Sequence, residues 1–212
     1  MLKVNEIFYS IQGESSYVGF PCIFIRLTGC NLRCTYCDTK YAYKKGKSRT
    51  VNKIIETVTK YECSLVEITG GEPLFQEETP KLARSLLDRG FRVLVETNGT
   101  QNIDRLPAEV VCIMDIKCPG SGEEKKTDWS NIQRLDHKDE VKFVLTSVDD
   151  YLWANEIIRG YRLTDKVTVL LSPVLGKLDP TEVVRWMLAD GLNARLQLQI
   201  HKILWPEELK SK

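Results

Sequence analysis

The chain has 212 residues, 42% of them hydrophobic and 28% charged, with a formal net charge of +1. That is enough for one domain with a real apolar core, and the balanced charge excludes a global electrostatic affinity for nucleic acid or an anionic membrane surface. No apolar run reaches the ~18–20 residues a bilayer-spanning helix needs, and the opening stretch MLKVNEIFYS has neither the basic nor the apolar region of a secretion signal.

The first predicted strand is NEIFYSI, residues 5–11, followed by Gln12-Gly13-Glu14. The second, CIFIRLTG at 22–29, is apolar apart from Arg26 and threonine. Alternation places Arg26 on the face of Cys22 and Phe24. A charge there is costly unless paired, so its expected partner is a ligand carboxylate or one of the acids Glu67 and Glu96. Next come Cys30, Cys34 and Cys37, then Asp38-Thr39, then a basic run without an acid, Lys40 to Arg49. A helix is predicted over 50–61 and a strand over 65–70, ending in Thr69-Gly70-Gly71-Glu72-Pro73. A second helix, 76–90, stops at Gly90, where glycine suits a helix C-terminus. Strands follow at 91–99, closing on Glu96-Thr97-Asn98-Gly99, and at 109–117, closing on Asp115-Ile116-Lys117. The remainder reads as strand 140–147, helix 148–161, strand 166–173, helix 179–191 and strand 194–200, which His201 and Lys202 close.

Several of these strands are apolar nearly throughout, as strands covered on both faces are. Their alternation with helices predicts a parallel α/β sheet with right-handed crossovers. A complete eightfold barrel takes about 250 residues. Roughly six repeats in a shorter chain predict a trimmed, open (β/α)6-type partial barrel, one domain over residues 1–212. Polar and glycine-rich residues collect where strands end, the end at which such sheets bind ligands.

The seven cysteines are odd in number and accompany no secretion signal, which predicts a reducing, cytoplasmic setting. Cys22, Cys63, Cys112 and Cys118 are scattered and read as small buried hydrophobes, Cys63 inside a helical run. The other three form C-x3-C-x2-C. Zinc would need a fourth ligand, and the later options, Cys63 and His137, come without a second C-x2-C pair; His137 sits in a charged loop and reads as surface. A cubane iron–sulfur cluster on three thiolates leaves one iron open for a small molecule. In Gly70-Gly71-Glu72-Pro73, the glycines permit close backbone approach to a ligand, and Glu72 could pair with an ammonium group.

The cysteine spacing directly after a strand, with Tyr36 before the last cysteine, resembles the radical S-adenosylmethionine (SAM) superfamily. The resemblance implies a [4Fe-4S] cluster on Cys30, Cys34 and Cys37. It implies SAM at the open iron, contacted by Tyr36, Gly70, Gly71, Glu72, Glu96, Thr97, Asn98 and Ser121. Together, Gln12-Gly13-Glu14, Arg26, Asp38-Thr39, TGGEP, ETNG, DIKCPGSG and the late LQIHKILWP are similar to the 7-carboxy-7-deazaguanine synthases of queuosine biosynthesis, from residue 6 to residue 206. That family contracts 6-carboxy-5,6,7,8-tetrahydropterin to 7-carboxy-7-deazaguanine with loss of ammonia, a 5′-deoxyadenosyl radical taking and returning the hydrogen at C6. The resemblance places Gln12, Gly13, Glu14, Arg26, Thr69 and His201 at the substrate, with Glu14, Arg26 and His201 as the catalytic set. It places Mg2+ on Thr39 and implies a homodimer. A flavodoxin-type reductant is expected at the basic run. Some relatives end near the last proline and use the terminal carboxylate; here Pro206 is followed by EELKSK, with Glu207 as a substitute acceptor. Lys117 and Gln199 stand at strand ends without an assigned role. Two alternatives stay open: a radical SAM enzyme of another substrate, such as a glycyl-radical activase, although the chain lacks such activases' ferredoxin-like cysteine insert; and a small zinc- or thiol-rich interaction protein.

Overall fold

The computed structural model describes residues 1–205, and the expectations for Pro206 and Glu207 fall outside them. In chain order the elements are β1 (Leu2–Ile11), β2 (Pro21–Leu27), β3 (Lys47–Arg49), α1 (Val51–Val58), β4 (Leu65–Gly70), α2 (Thr79–Leu87), β5 (Arg92–Thr97), β6 (Val111–Ile116), α3 (Asn131–Arg134), β7 (Glu140–Leu145), α4 (Val148–Gly160), β8 (Thr168–Pro173), α5 (Pro180–Ala189), β9 (Arg195–Leu196) and α6 (Ile200–Leu204). One sheet runs β3-β1-β2-β4-β5-β6-β7-β8-β9. From β2 onward every pair is parallel; β1 and β3 close the first edge antiparallel. It is the open, trimmed parallel architecture that the strand–helix alternation predicts.

Side-chain alternation sorts each parallel strand into two faces. Val66 and Ile68, Val93 and Val95, and Ile25 point outward into a core shared with α1 and α2. Met114, Ile116, Val141, Phe143, Val169 and Leu171 do the same toward α4 and α5. The helices start where local chemistry satisfies their free N–H groups. Thr50 caps α1, Ser147 caps α4, and Asp179 caps α5 with Pro180 at its first position. The inner face has an apolar floor of Cys22, Phe24, Leu65, Leu94, Val111 and Ile113. Above it, toward the carboxyl ends, the same faces carry Arg26, Glu67, Thr69, Glu96, Asp115 and Lys142, all lining one cavity.

Four details depart from the sequence reading. The last predicted strand is only Arg195–Leu196, and His201 lies on α6. The chain leaves the edge after Gln197, whose N–H still bonds the Leu171 carbonyl at 2.8 Å. It then turns so that the Ile200 N–H reaches the Gly13 carbonyl at 3.1 Å. The basic run contributes β3, paired with β1. α3 is an extra single turn. Cys63 follows α1 rather than lying within it, its thiol donating to the Pro21 carbonyl at 3.2 Å.

Candidate active site

A cavity of about 480 Å³ opens at the carboxyl ends of the parallel strands, within the range of small-molecule sites. The loop after β2 brings Cys30, Cys34 and Cys37 to one wall. Three strand ends hold that loop. From β4, the Glu72 N–H donates to the Gly29 carbonyl at 2.8 Å and the Gly71 N–H to the Leu27 carbonyl at 3.2 Å. From β5, the Asn98 amide donates to Asn31 Oδ1 at 3.0 Å and lies 3.9 Å from Cys30 Sγ. From beyond β6, the Ser121 carbonyl accepts from the Thr35 N–H at 3.1 Å.

These contacts give two expected cofactor residues a different place. Glu72 is completely buried, and its carboxylate accepts from the Leu74 N–H at 2.9 Å, Thr97 Oγ1 at 2.7 Å and the Asn98 N–H at 2.6 Å. Its side chain thereby ties the ends of β4 and β5 together. Ser121, expected at the ribose, is likewise completely buried, and its hydroxyl accepts from the Glu123 N–H at 3.0 Å. The glycines also read differently: a Cβ on Gly71 would collide with the Gly29 carbonyl and crowd Cys30, while Gly70, at φ +147°, would collide with Leu27. Their smallness admits the cysteine loop. The other expected cofactor residues, Tyr36, Gly70, Gly71, Glu96, Thr97 and Asn98, all line the cavity.

The same cavity holds the expected substrate residues. Gln12, Gly13, Glu14, Arg26, Thr69 and His201 all line it. Arg26 Nε pairs with Glu6 at 2.9 Å, and its guanidinium lies over the rings of Phe8 and Tyr41. The protein partner is therefore Glu6, not Glu67 or Glu96. A bulge in β1 makes this so: Val4 faces Leu27 but Glu6 faces Arg26, and Asn5 is stepped over. Glu14 accepts from Lys142 at 2.7 Å and Gln199 at 2.6 Å. Burial, the largest influence, would push its carboxyl up, but Lys142, Gln199 and His201 together outweigh it and bring it down to about 2. Gly13 is bare because a Cβ there would fall on the His201 ring. Burial lowers the His201 imidazole below its ordinary value, so the ring is neutral at pH 7. Thr39, the expected Mg2+ ligand, donates to Asp38 at 2.8 Å, and Asp38 pairs with Lys202 at 2.6 Å. Burial of Asp38 is again outweighed, by Lys202, and its carboxyl falls to about 2.

Lys142 escaped the sequence reading. It is buried on β7, pairs with Glu14 and Glu96, and lies 3.7 Å from Asp115, which also pairs with Lys117 at 2.8 Å. The signal was present: in EVKFVL one lysine interrupts an apolar strand, as one glutamate does in LVEITG. Charges in such strands need partners, and these two share one interior. Lys117 and Gln199 now have places, as partners of Asp115 and Glu14. His137 is exposed and, among the described residues, hydrogen-bonded only within its own loop, to Asp136.

The residues present fit a cluster with SAM beside it. All three cysteines of the wall are free thiols. Among the described residues, no three His, Cys, Asp or Glu side chains converge on a point that would hold a single ion. Zinc needs such convergence, whereas a cubane takes each thiolate on a different iron. Tyr36 Oη and Asp115 Oδ1 line the cavity as buried atoms without a hydrogen-bond partner. Buried polar atoms are normally satisfied, so these two await a polar ligand.

A family model described as the Radical SAM superfamily matches residues 24–185. The chain is 42% identical to the 7-carboxy-7-deazaguanine synthase of Koribacter versatilis (strain Ellin345), covering 99% of both chains. It is 44% identical to that of Chlorobaculum tepidum, covering 96% of this chain and 94% of the relative. Among solved structures, QueE from Escherichia coli superposes with a TM-score of 0.78 at 24% identity over 93% of both chains.

Proposed function

The chain belongs to the 7-carboxy-7-deazaguanine synthases of the radical SAM superfamily, and on that premise we propose that its cavity contracts 6-carboxy-5,6,7,8-tetrahydropterin to 7-carboxy-7-deazaguanine with release of ammonia. The observation that carries the reading is a shared cavity: three free cysteines and a polar set of Gln12, Glu14, Arg26 and His201 line the same space of about 480 Å³.

Cys30, Cys34 and Cys37 hold the [4Fe-4S] cluster, and SAM lies against Tyr36, Gly70, Gly71, Glu96, Thr97 and Asn98. When bound, cluster and SAM supply the electron and the carbon radical that take one substrate hydrogen and give it back. The protein's own groups do the rest. Glu14, kept anionic by Lys142, accepts the two N–H donors on the pyrimidine edge of the pterin. Arg26 and the neutral His201 meet the substrate carboxylate, the first as a cation and the second as a donor. Thr39, with Asp38 beside it, contributes a hydroxyl to Mg2+, whose shell water and substrate oxygens complete.

We also place the enzyme in the cytoplasm as a homodimer, feeding a tRNA modification pathway. Flavodoxin docks at the exposed residues Lys44, Lys45 and Lys47. The test is anaerobic turnover of the cluster-loaded protein with SAM, Mg2+ and the pterin, followed by mass spectrometry. Many equivalents of 7-carboxy-7-deazaguanine with SAM largely intact support the reading. SAM cleavage with the pterin untouched removes the substrate assignment. In the same assay, flavodoxin-driven turnover that ignores salt and survives Lys44→Glu with Lys45→Glu removes the docking site.

A further inference from the structure

Glu67 stands on β4 at the base of the polar wall, 4% exposed, and nothing in the reaction above uses it. Among the described residues its one side-chain hydrogen bond is from a neutral donor, Gln12 Nε2. The same Gln12 accepts the Glu14 N–H at 3.1 Å on its amide oxygen, so one side chain joins the two acids. Among the described residues no salt bridge reaches Glu67. The nearest cation, Lys142, is held by Glu14 and Glu96, with Asp115 next to it. A buried carboxyl beside two carboxylates, with no cation of its own, is stable as the neutral acid.

That neutrality has a use at this position. With Gln12 bonded to one oxygen, the other is an O–H, a donor next to the acceptor Glu14. On a pterin, the two N–H donors that suit Glu14 adjoin a ring carbonyl, an acceptor. We propose that Glu67, as a neutral carboxylic acid, donates to the carbonyl oxygen of the pterin's lactam edge and so completes the pattern that Glu14 begins. The assignment rests on the pterin reading of the site. An ionised Glu67 would leave that carbonyl facing a bare oxygen, and the edge would be rejected, because a buried acceptor without a donor is strongly disfavoured.

Burial first, and the Glu96 carboxylate second, push Glu67 up to about 8. The titratable groups that act on it are Glu96 from β5, Glu14 from the loop after β1, Lys142 from β7 and Cys22 from β2, with Cys63 next to Cys22 and with Arg26 from β2 and Asp115 from β6 lining the same cavity. Glu14 is lowered to about 2, while Cys22 and Lys142 are raised above their ordinary values. For an acid whose value is raised, the neutral form prevails below about pH 8 and is lost above it. Binding should therefore weaken as pH rises, by about 10-fold at pH 9 if only the neutral form binds.

The experiment is equilibrium binding of 6-carboxy-5,6,7,8-tetrahydropterin to the cluster-loaded, unreduced protein with SAM, from pH 6.5 to 9. Wild type is expected to lose affinity about 10-fold through a step near pH 8. Glu67→Gln, which keeps a neutral donor in place, is expected to bind within about three-fold of wild type at pH 6.5 and to show no step. A flat wild-type profile overturns the assignment, and so does a Glu67→Gln protein that keeps the step. Absence of binding at every pH sinks the pterin reading together with the assignment, whereas binding without a step sinks the assignment alone. Should Glu67→Gln fail to fold, the wild-type profile decides by itself.

Discussion

Gly13 shows how one residue sets the shape of the substrate wall. The His201 ring lies where a Cβ on Gly13 would be, and the Ile200 N–H reaches the Gly13 carbonyl. Gly13→Ala must push α6 outward, moving His201 away from Glu14 and Gln199 away from its bond. The expected result is at least about a 10-fold rise in KM for the pterin, with the brown cluster absorbance unchanged, since Gly13 does not touch the cysteine loop. A normal KM would show that α6 does not form this wall. Sequence reasoning reached Gly13 only by its place between Gln12 and Glu14. The reason for it lies nearly 190 positions away, at His201, and no local signal carries a contact of that range. The burial of Glu72 and Ser121 was illegible for a related reason. A polar side chain next to a glycine turn looks the same whether it faces a ligand or holds the turn; only burial tells the two apart.

At the scale of elements, the cavity is a meeting of strand ends stitched by charge. Lys142 on β7 reaches Glu96 on β5, Asp115 on β6 and Glu14 on the loop after β1. Removing the cation leaves buried carboxylates without compensation, which typically costs about 3–5 kcal/mol. Lys142→Met should lower the urea-denaturation stability of the cluster-free protein by about that amount at pH 7, and adding Glu14→Gln should recover part of it. A loss under about 1 kcal/mol would mean that water or rearrangement, not Lys142, balances these acids. The elements themselves were legible wherever periodicity and caps agreed, as in α4 and α5 with Ser147 and Asp179. They were not legible at the sheet's two edges. β3 is a three-residue polar strand, too short to show alternation. β9 stops after two residues because the chain leaves to meet Gly13.

For the molecule as a whole, the sheet places two chemistries on one inner face. The parallel strands share a floor of apolar side chains, and one cavity above it is lined both by the cysteine loop at their carboxyl ends and by acids and bases, of which Gln12 and Glu14 enter from the loop after the antiparallel strand β1. The cysteines, the glycine turn and most wall residues could be placed from sequence because each sits at a strand end. What joins them could not: the lone charges of Lys142 and Glu67 show in their strands, but which strands meet around them, and that Glu6 meets Arg26, is set by register. The central claim is that both sets serve one reaction, so that a hydrogen at C6 of the pterin lies within reach of SAM. The most direct measurement is anaerobic turnover of pterin carrying deuterium at C6, with mass spectrometry of both product and SAM. The account predicts deuterium in recovered SAM, growing with turnover, and none at the product's carboxyl-bearing ring carbon, which has no hydrogen. Deuterium that never enters SAM while 7-carboxy-7-deazaguanine accumulates would contradict it.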